Sequence, residues 1–162
     1  MKLSLLRRNS LWFGILGVML VSAFILFAHG PTAAHADSKT LEGTWNVQIQ
    51  FTSGPLAGQT KQGTITYAAD GTLTSQTTDG VSGTGTWNMT SKLGFHYELD
   101  EQVYRNGQNI GYIAVVQDGS LSKNAKTNSA QGSGTFYVYT PNGPQPVAVN
   151  DTQTTEQRTS KS

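Results

Sequence analysis

From Gly43 onward, apolar and polar residues alternate in short runs, and turn residues interrupt every run. In "GTWNVQIQF" (43–51), Trp45, Val47, Ile49 and Phe51 alternate with Thr44, Asn46, Gln48 and Gln50. Successive strand side chains point to opposite faces, so this spacing predicts a strand with one apolar face. "SGPLAGQ" (53–59) follows as a loop, and Gly63, Ile65 and Tyr67 mark the next strand, closed by Asp70-Gly71. A short strand at 72–77, a Gly-rich stretch at 79–85 and a strand led by Trp87 and Met89 come next. Phe95, Tyr97, Leu99 and Val103 define a longer strand ending at Asn106-Gly107, the strongest short hairpin signal in the chain. "IGYIAVV" (110–116) is its return. "DGSLSKNAKTNS" (118–129) reads either as a strand margin or as a loop, "GTFYVYT" (134–140) as a strand, and "VAVNDTQT" (147–154) as the last one. The remainder, "EQRTSKS", is polar throughout and predicts a frayed end.

About eight antiparallel strands with short connections leave no room for a crossover helix. Such a chain must hide its edges, and consecutive hairpins favour an up-and-down barrel over a Greek-key sandwich. The expected fold is all-β: a single antiparallel barrel that either fills with side chains or holds one small ligand.

The first forty residues are a separate object. Lys2, Arg7 and Arg8 precede eighteen uncharged, almost wholly apolar residues from Leu11 to Ala28, and Ala34-His35-Ala36 follows. Positive end, apolar stretch and small-x-small site in that order predict an export signal over 1–36, cut before Asp37. The alternative is an uncleaved anchor, since eighteen residues sit at the short end of what spans a bilayer. Residues 37–40 are then a linker, 41–158 the barrel and 159–162 a polar tail. The expected location is secreted or extracytoplasmic.

Cleavage changes the charge. Three of the 11 basic residues leave with the signal, so eight face 10 acidic ones and the net becomes −2. That excludes a basic surface for nucleic acid or anionic lipid. The chain has no Cys, so an exported domain here stands on its core alone and a lipidated Cys anchor is excluded. No cofactor and no metal are expected. One His remains after cleavage, His96, which leaves no imidazole- or thiolate-rich ligand set. No membrane contact is expected unless the signal is retained, and the expected state is a monomer.

A Gly-x-Trp opening the first strand of an eight-stranded meander resembles the calycin signature of lipocalins, fatty-acid-binding proteins and avidins. Gly43-Thr44-Trp45 matches that element. Small secreted bacterial lipocalin-like proteins are closer still. Their hairpin is similar to Ala69–Thr72, their G-x-G-x-W strand to Gly83–Trp87, and their later G-x-x-x-G to Gly107–Gly111, over most of 41–158. The resemblance implies that Trp45 plugs one end of the barrel and that a late basic residue, here Arg158, packs over it. Counting alternately from Val147 and Val149 puts Arg158 on the opposite face, so the pairing requires a bulge or break near Asn150-Asp151. Barrels resembling allene oxide cyclase carry out isomerisation or cyclisation, so the shape alone does not separate binder from enzyme.

Four aromatic residues, Tyr67, Trp87, Tyr97 and Tyr112, are the candidate ligand-contacting set, the alternative being a filled core. Glu101 falls on the Phe95/Tyr97/Leu99/Val103 face. A carboxyl in an apolar cavity has a raised pKa and can serve as acid, base or ligand anchor; near the strand's end it can equally reach water at the rim. His96, Glu98 and Asp100 share the opposite face and are expected in solvent, while Arg105 and Asp118 are read as rim charges beside the hairpin. "GVSGTG" has no helix after it and no suitably placed Lys, so no phosphate loop is present. The leading expectation is an exported, non-enzymatic barrel that binds a small apolar or amphipathic molecule. The enzymatic alternative is a cofactor-free isomerase or cyclase using Glu101 and Tyr97, and the third reading is an extracellular interaction or inhibitor barrel.

Overall fold

Asn106 and Gly107 adopt φ of 52° and 76°, the left-handed pair that matches a two-residue hairpin turn to the twist of its strands. Seven connections of two to eight residues join eight strands in the computed structural model, which describes residues 40–160. The strands are β1 (Gly43–Phe51), β2 (Thr60–Tyr67), β3 (Thr72–Thr77), β4 (Ser82–Met89), β5 (Gly94–Arg105), β6 (Gln108–Leu121), β7 (Thr127–Thr140) and β8 (Gly143–Ser160). Each pairs antiparallel with its sequence neighbour, and β8 returns to β1, so the sheet closes as an all-β up-and-down barrel. The segment read as an export signal lies outside the described residues.

Alternation sets the inside of the barrel. Odd-numbered residues of β1 to β6 point inward, as do even-numbered residues of β7 and, from Ala148 on, of β8. Trp45, Val47, Ile65, Tyr67, Leu73, Phe95, Tyr97, Leu99, Leu121 and Ala130 form the buried core together with Leu41. The outer wall of β1 to β4 is largely Thr, Asn and Gln, such as Thr44 and Thr66, whose hydroxyls lie 3.1 Å apart across the strands. These residues combine strand propensity with compatibility with water.

β6 to β8 decide one open reading and correct two expectations. Of the two readings of 118–129 the strand margin holds: β6 runs to Leu121, β7 starts at Thr127, and only 122–126 turns. The polar end does not fray, because β8 continues to Ser160 and its last residues close the barrel against β1, with Trp45 paired to Arg158. No bulge is needed near Asn150-Asp151 to bring Arg158 inward. Val147 and Val149 are 58% and 53% exposed, so they face solvent, and Arg158 is already in phase with the inward set Ala148, Asn150, Thr152, Thr154 and Glu156. β8 thus turns two valines outward and, from Asn150 on, a polar row inward.

β5 to β8 outrun β1 to β4 at the end of the barrel that carries the 52–59 loop. Residues 143–150 of β8 have no strand partner on the β1 side. Pro144 and Pro146 lie there, where a missing N–H costs no ladder bond and discourages pairing with another chain.

Candidate functional site: a cavity at one end of the barrel

The end where the chain enters the barrel is sealed. Trp45 is fully buried, its indole Nε1 donates to the Leu41 carbonyl at 2.7 Å, and the Arg158 guanidinium lies 4.4 Å above its ring. The same guanidinium donates to the carbonyls of Glu42, at 2.7 Å, and Thr40. One cation therefore ties the segment before β1, the Trp plug and the final strand together. Beneath the plug, Glu156 is 3% exposed and accepts hydrogen bonds from the Tyr67 hydroxyl at 3.1 Å and the Asn128 amide at 2.8 Å. Burial pushes its carboxyl up to about 7, although both hydrogen bonds pull it down. Tyr67 and Tyr97 are driven well above the usual phenol range, first by burial and then by the charge of Glu156.

The other end is open inside. A cavity of about 260 Å³ lies between the loop at 52–59 and the Tyr97 layer, just under the ~300–1,000 Å³ usual for ligand pockets. Phe51, Leu99, Val103, Ile113, Val115 and Phe136 line its apolar wall, and Pro55 and Leu56 form a lip. The lip is fixed to β8: the Leu56 amide donates to Asn150 Oδ1 at 2.9 Å, and Ser53 Oγ donates to Asp151 at 2.6 Å.

Polar groups enter this wall at two levels. Near the mouth, Glu101 accepts a hydrogen bond from Ser75 Oγ at 3.1 Å. Gly83 makes that contact possible, because a Cβ there would sit 2.9 Å from Glu101 Cγ and 2.8 Å from Ser75 Oγ. The Glu101 carboxyl is raised chiefly by burial, with Ser75 and Lys61 acting against it. Lys61 also lines the cavity, with its ammonium 2.6 Å from Asp79. At the floor, Gln117 is 1% exposed and donates from Nε2 to Thr152 Oγ1 at 2.5 Å, while its Oε1 is buried without a partner.

The four candidate aromatics go to different places. Tyr97 lines the cavity floor together with Thr154. Tyr67 belongs to the sealed end, packed edge-on at 5.8 Å from Trp87, whose Nε1 donates to the Ala68 carbonyl at 2.9 Å. Tyr112 is on the outer wall, stacked on Tyr137 at 5.0 Å, because it alternates with the inward Ile113. Glu101 faces the cavity, but its hydrogen-bond partner is Ser75 and not Tyr97. His96 is on the outer wall between Asp118 at 2.8 Å and Glu98 at 3.3 Å, which raise its pKa, Asp118 most. Asp118 is therefore no rim charge: it sits beside His96 across the β5–β6 ladder, whereas Arg105 ends β5 and is exposed.

The sequence reading missed Ser75, Gln117, Asn128 and Glu156. Alternation carries the signal for three of them: Ser75 follows Leu73, Gln117 follows Val115, and Glu156 is in phase with Arg158. Among the described residues no cluster of three or more His, Cys, Asp or Glu could hold a metal ion.

No family model matches the chain, and no curated protein matches it. Among solved structures, a redesigned β-barrel is similar, with TM-score 0.45 and 19% identity, covering 79% of this chain and all of the other.

Proposed function

We propose that this protein is an exported, calycin-like barrel that binds one small apolar or amphipathic molecule and performs no reaction on it. The observation that carries the reading is the asymmetry of the interior. One end is filled by Trp45, Tyr67 and Phe95, while the other keeps a largely apolar cavity under a lip anchored to β8. Apolar lining with a few placed polar groups is the usual composition of a small-molecule site. The Trp45–Arg158 stack supports the calycin resemblance, and the apolar run at 11–28 supports export.

Native mass spectrometry of the purified protein tests the reading. The expected result is a co-purifying small molecule, or saturable uptake of an environment-sensitive fluorescent probe, that is lost in Gly134→Leu. Gly134 faces the cavity, and a Cβ there meets only the Ile113 and Val115 methyls, at 3.2 and 3.8 Å. A leucine there occupies the cavity without moving backbone. A bare protein that takes up no probe, or uptake unchanged in Gly134→Leu, overturns the proposal.

A further inference from the structure

The polar groups of the cavity are not balanced. Lys61 is engaged by Asp79 and Gln117 Nε2 by Thr152. Two acceptors keep capacity: Glu101 receives a single hydrogen bond, from Ser75, across its two carboxylate oxygens, and Gln117 Oε1 receives none. Summed over Glu101, Lys61 and Asp79, the mouth carries one net negative charge. A buried acceptor without a partner is costly, and a ligand that donates to it recovers that cost.

The geometry points to an amphipathic amine as the ligand, its ammonium group held by Glu101 at the mouth and a second polar group at its inner end meeting Gln117. This rests on the cavity being the binding site. Glu101 pairs with Ile113 and Tyr97 with Gln117 across the β5–β6 ladder, which puts the two polar levels four residues apart. At the rise of a strand, that is roughly 13 Å between backbone levels, and the side chains shorten the span. Leu99 and Val115 lie between the levels and contact the apolar body. Glu101 is only partly buried, so the ammonium keeps part of its hydration while gaining a charge-assisted hydrogen bond. A carboxylate ligand meets the opposite situation: its charge faces Glu101, and the nearby cation is already paired.

Calorimetric titration of the purified protein with octylamine, octanol, octanoate and 8-amino-1-octanol tests this. Octylamine should bind about tenfold more tightly than octanol, the worth of one charge-assisted hydrogen bond, and octanoate more weakly than octanol. 8-Amino-1-octanol should exceed octylamine several-fold, and Gln117→Leu should remove that increment. Glu101→Gln should bring octylamine to the level of octanol and leave octanol unchanged. Acidification of the unaltered protein gives the same readout without a variant. The amine preference should fall as Glu101 takes up a proton, while Asp79 is held ionised to lower pH by Lys61 and Tyr97 stays neutral. Equal binding of octylamine and octanol, or tighter binding of octanoate, overturns the amine assignment and leaves the cavity as the site. An increment for 8-amino-1-octanol that survives Gln117→Leu overturns the inner contact. Failure of all four probes overturns the cavity reading itself.

Discussion

The two ends of the barrel place their buried polar groups in different surroundings. At the sealed end, Glu156 receives hydrogen bonds from Tyr67 and Asn128, and Arg158 donates to two backbone carbonyls while stacking on Trp45. Each of these contacts joins segments far apart in the chain, and aromatic rings fill the space between them. At the open end, Glu101 and Gln117 face a cavity with acceptor capacity unused. Asn128 Oδ1 and Arg158 Nε also lack partners at the sealed end, so what separates the two ends is the volume beside the polar groups: aromatic rings pack one end, and the other keeps a cavity. On the proposed reading, stability belongs to one end and recognition to the other, and substitutions can test that division.

The largest difference should come from truncating large side chains at each end. Trp45→Ala removes the plug, the Leu41 hydrogen bond and the surface beneath Arg158, and should cost about 3–5 kcal/mol in denaturant unfolding. Phe136→Ala at the open end removes a half-buried ring that already borders a cavity, and should cost roughly half as much or less. Equal losses would break the division, because the cavity wall would then be as much a part of the core as the plug.

The next effect is a pH dependence seated at the sealed end. The Glu156 carboxyl is at about 7 in the folded protein against an ordinary 4.5, so between these values the folded state holds a proton that the unfolded state has released. The stabilisation is complete below about 4.5 and is lost as pH rises through about 7, beyond which stability levels off. The full loss is about 3 kcal/mol, at 1.36 kcal/mol per pH unit. The protonated carboxyl also has a use for its hydrogen, because Asn128 Oδ1 is buried without a partner beside it. Urea unfolding at pH 5 and pH 8 should show the drop in the unaltered protein and a much smaller one in Glu156→Gln, whose amide stays neutral. A drop of the same size in both proteins would assign the titration elsewhere. His96 is one alternative: its raised pKa gives the same sign, but on the exposed outer wall.

How much of this was legible from the sequence follows the same line between the two ends. β1 to β5 were readable because most inward residues are apolar or Gly, Lys61, Ser75, Thr77 and Glu101 apart, and the outward ones are largely polar, so period two and burial agree. β8 was not, because Val147 and Val149 face solvent while Asn150, Thr152, Thr154 and Glu156 face in. Hydropathy places apolar residues inside, and only partners distant in the chain, Gln117 and Tyr67 among them, make the reverse acceptable. The 122–126 turn was equally hard to see. Ala125 holds the left-handed conformation at φ 54° where Gly or Asn would advertise it, and Asn124 Oδ1 stabilises the turn by accepting from the Lys126 amide and the Ser122 hydroxyl. At the open end, the phase of Glu101 was visible in its strand. Its partner Ser75 was not, since that contact depends on Gly83 lying between them in the folded sheet.

The smallest effect separates stability from recognition at a single position. Lys61 and Asp79 are exposed over 31% and 47% of their side chains, so their ion pair should contribute well under 1 kcal/mol to folding. What it contributes exists only while Asp79 is ionised, and Asp79 is held below the ordinary carboxylate range mainly by Lys61, so it is lost only in acid. Asp79→Asn should therefore leave the unfolding midpoint at neutral pH nearly unchanged. Its effect on the mouth should be plain by contrast: the released ammonium of Lys61 is drawn to Glu101, the net charge at the mouth falls to zero, and octylamine loses its advantage over octanol. A variant that unfolds earlier yet keeps the amine preference would reverse the assignment, making the pair a support of the barrel and leaving Glu101 indifferent to its neighbours. An unchanged midpoint with a lost preference would show that the open end can be rewritten electrostatically without disturbing the structure that the sealed end maintains.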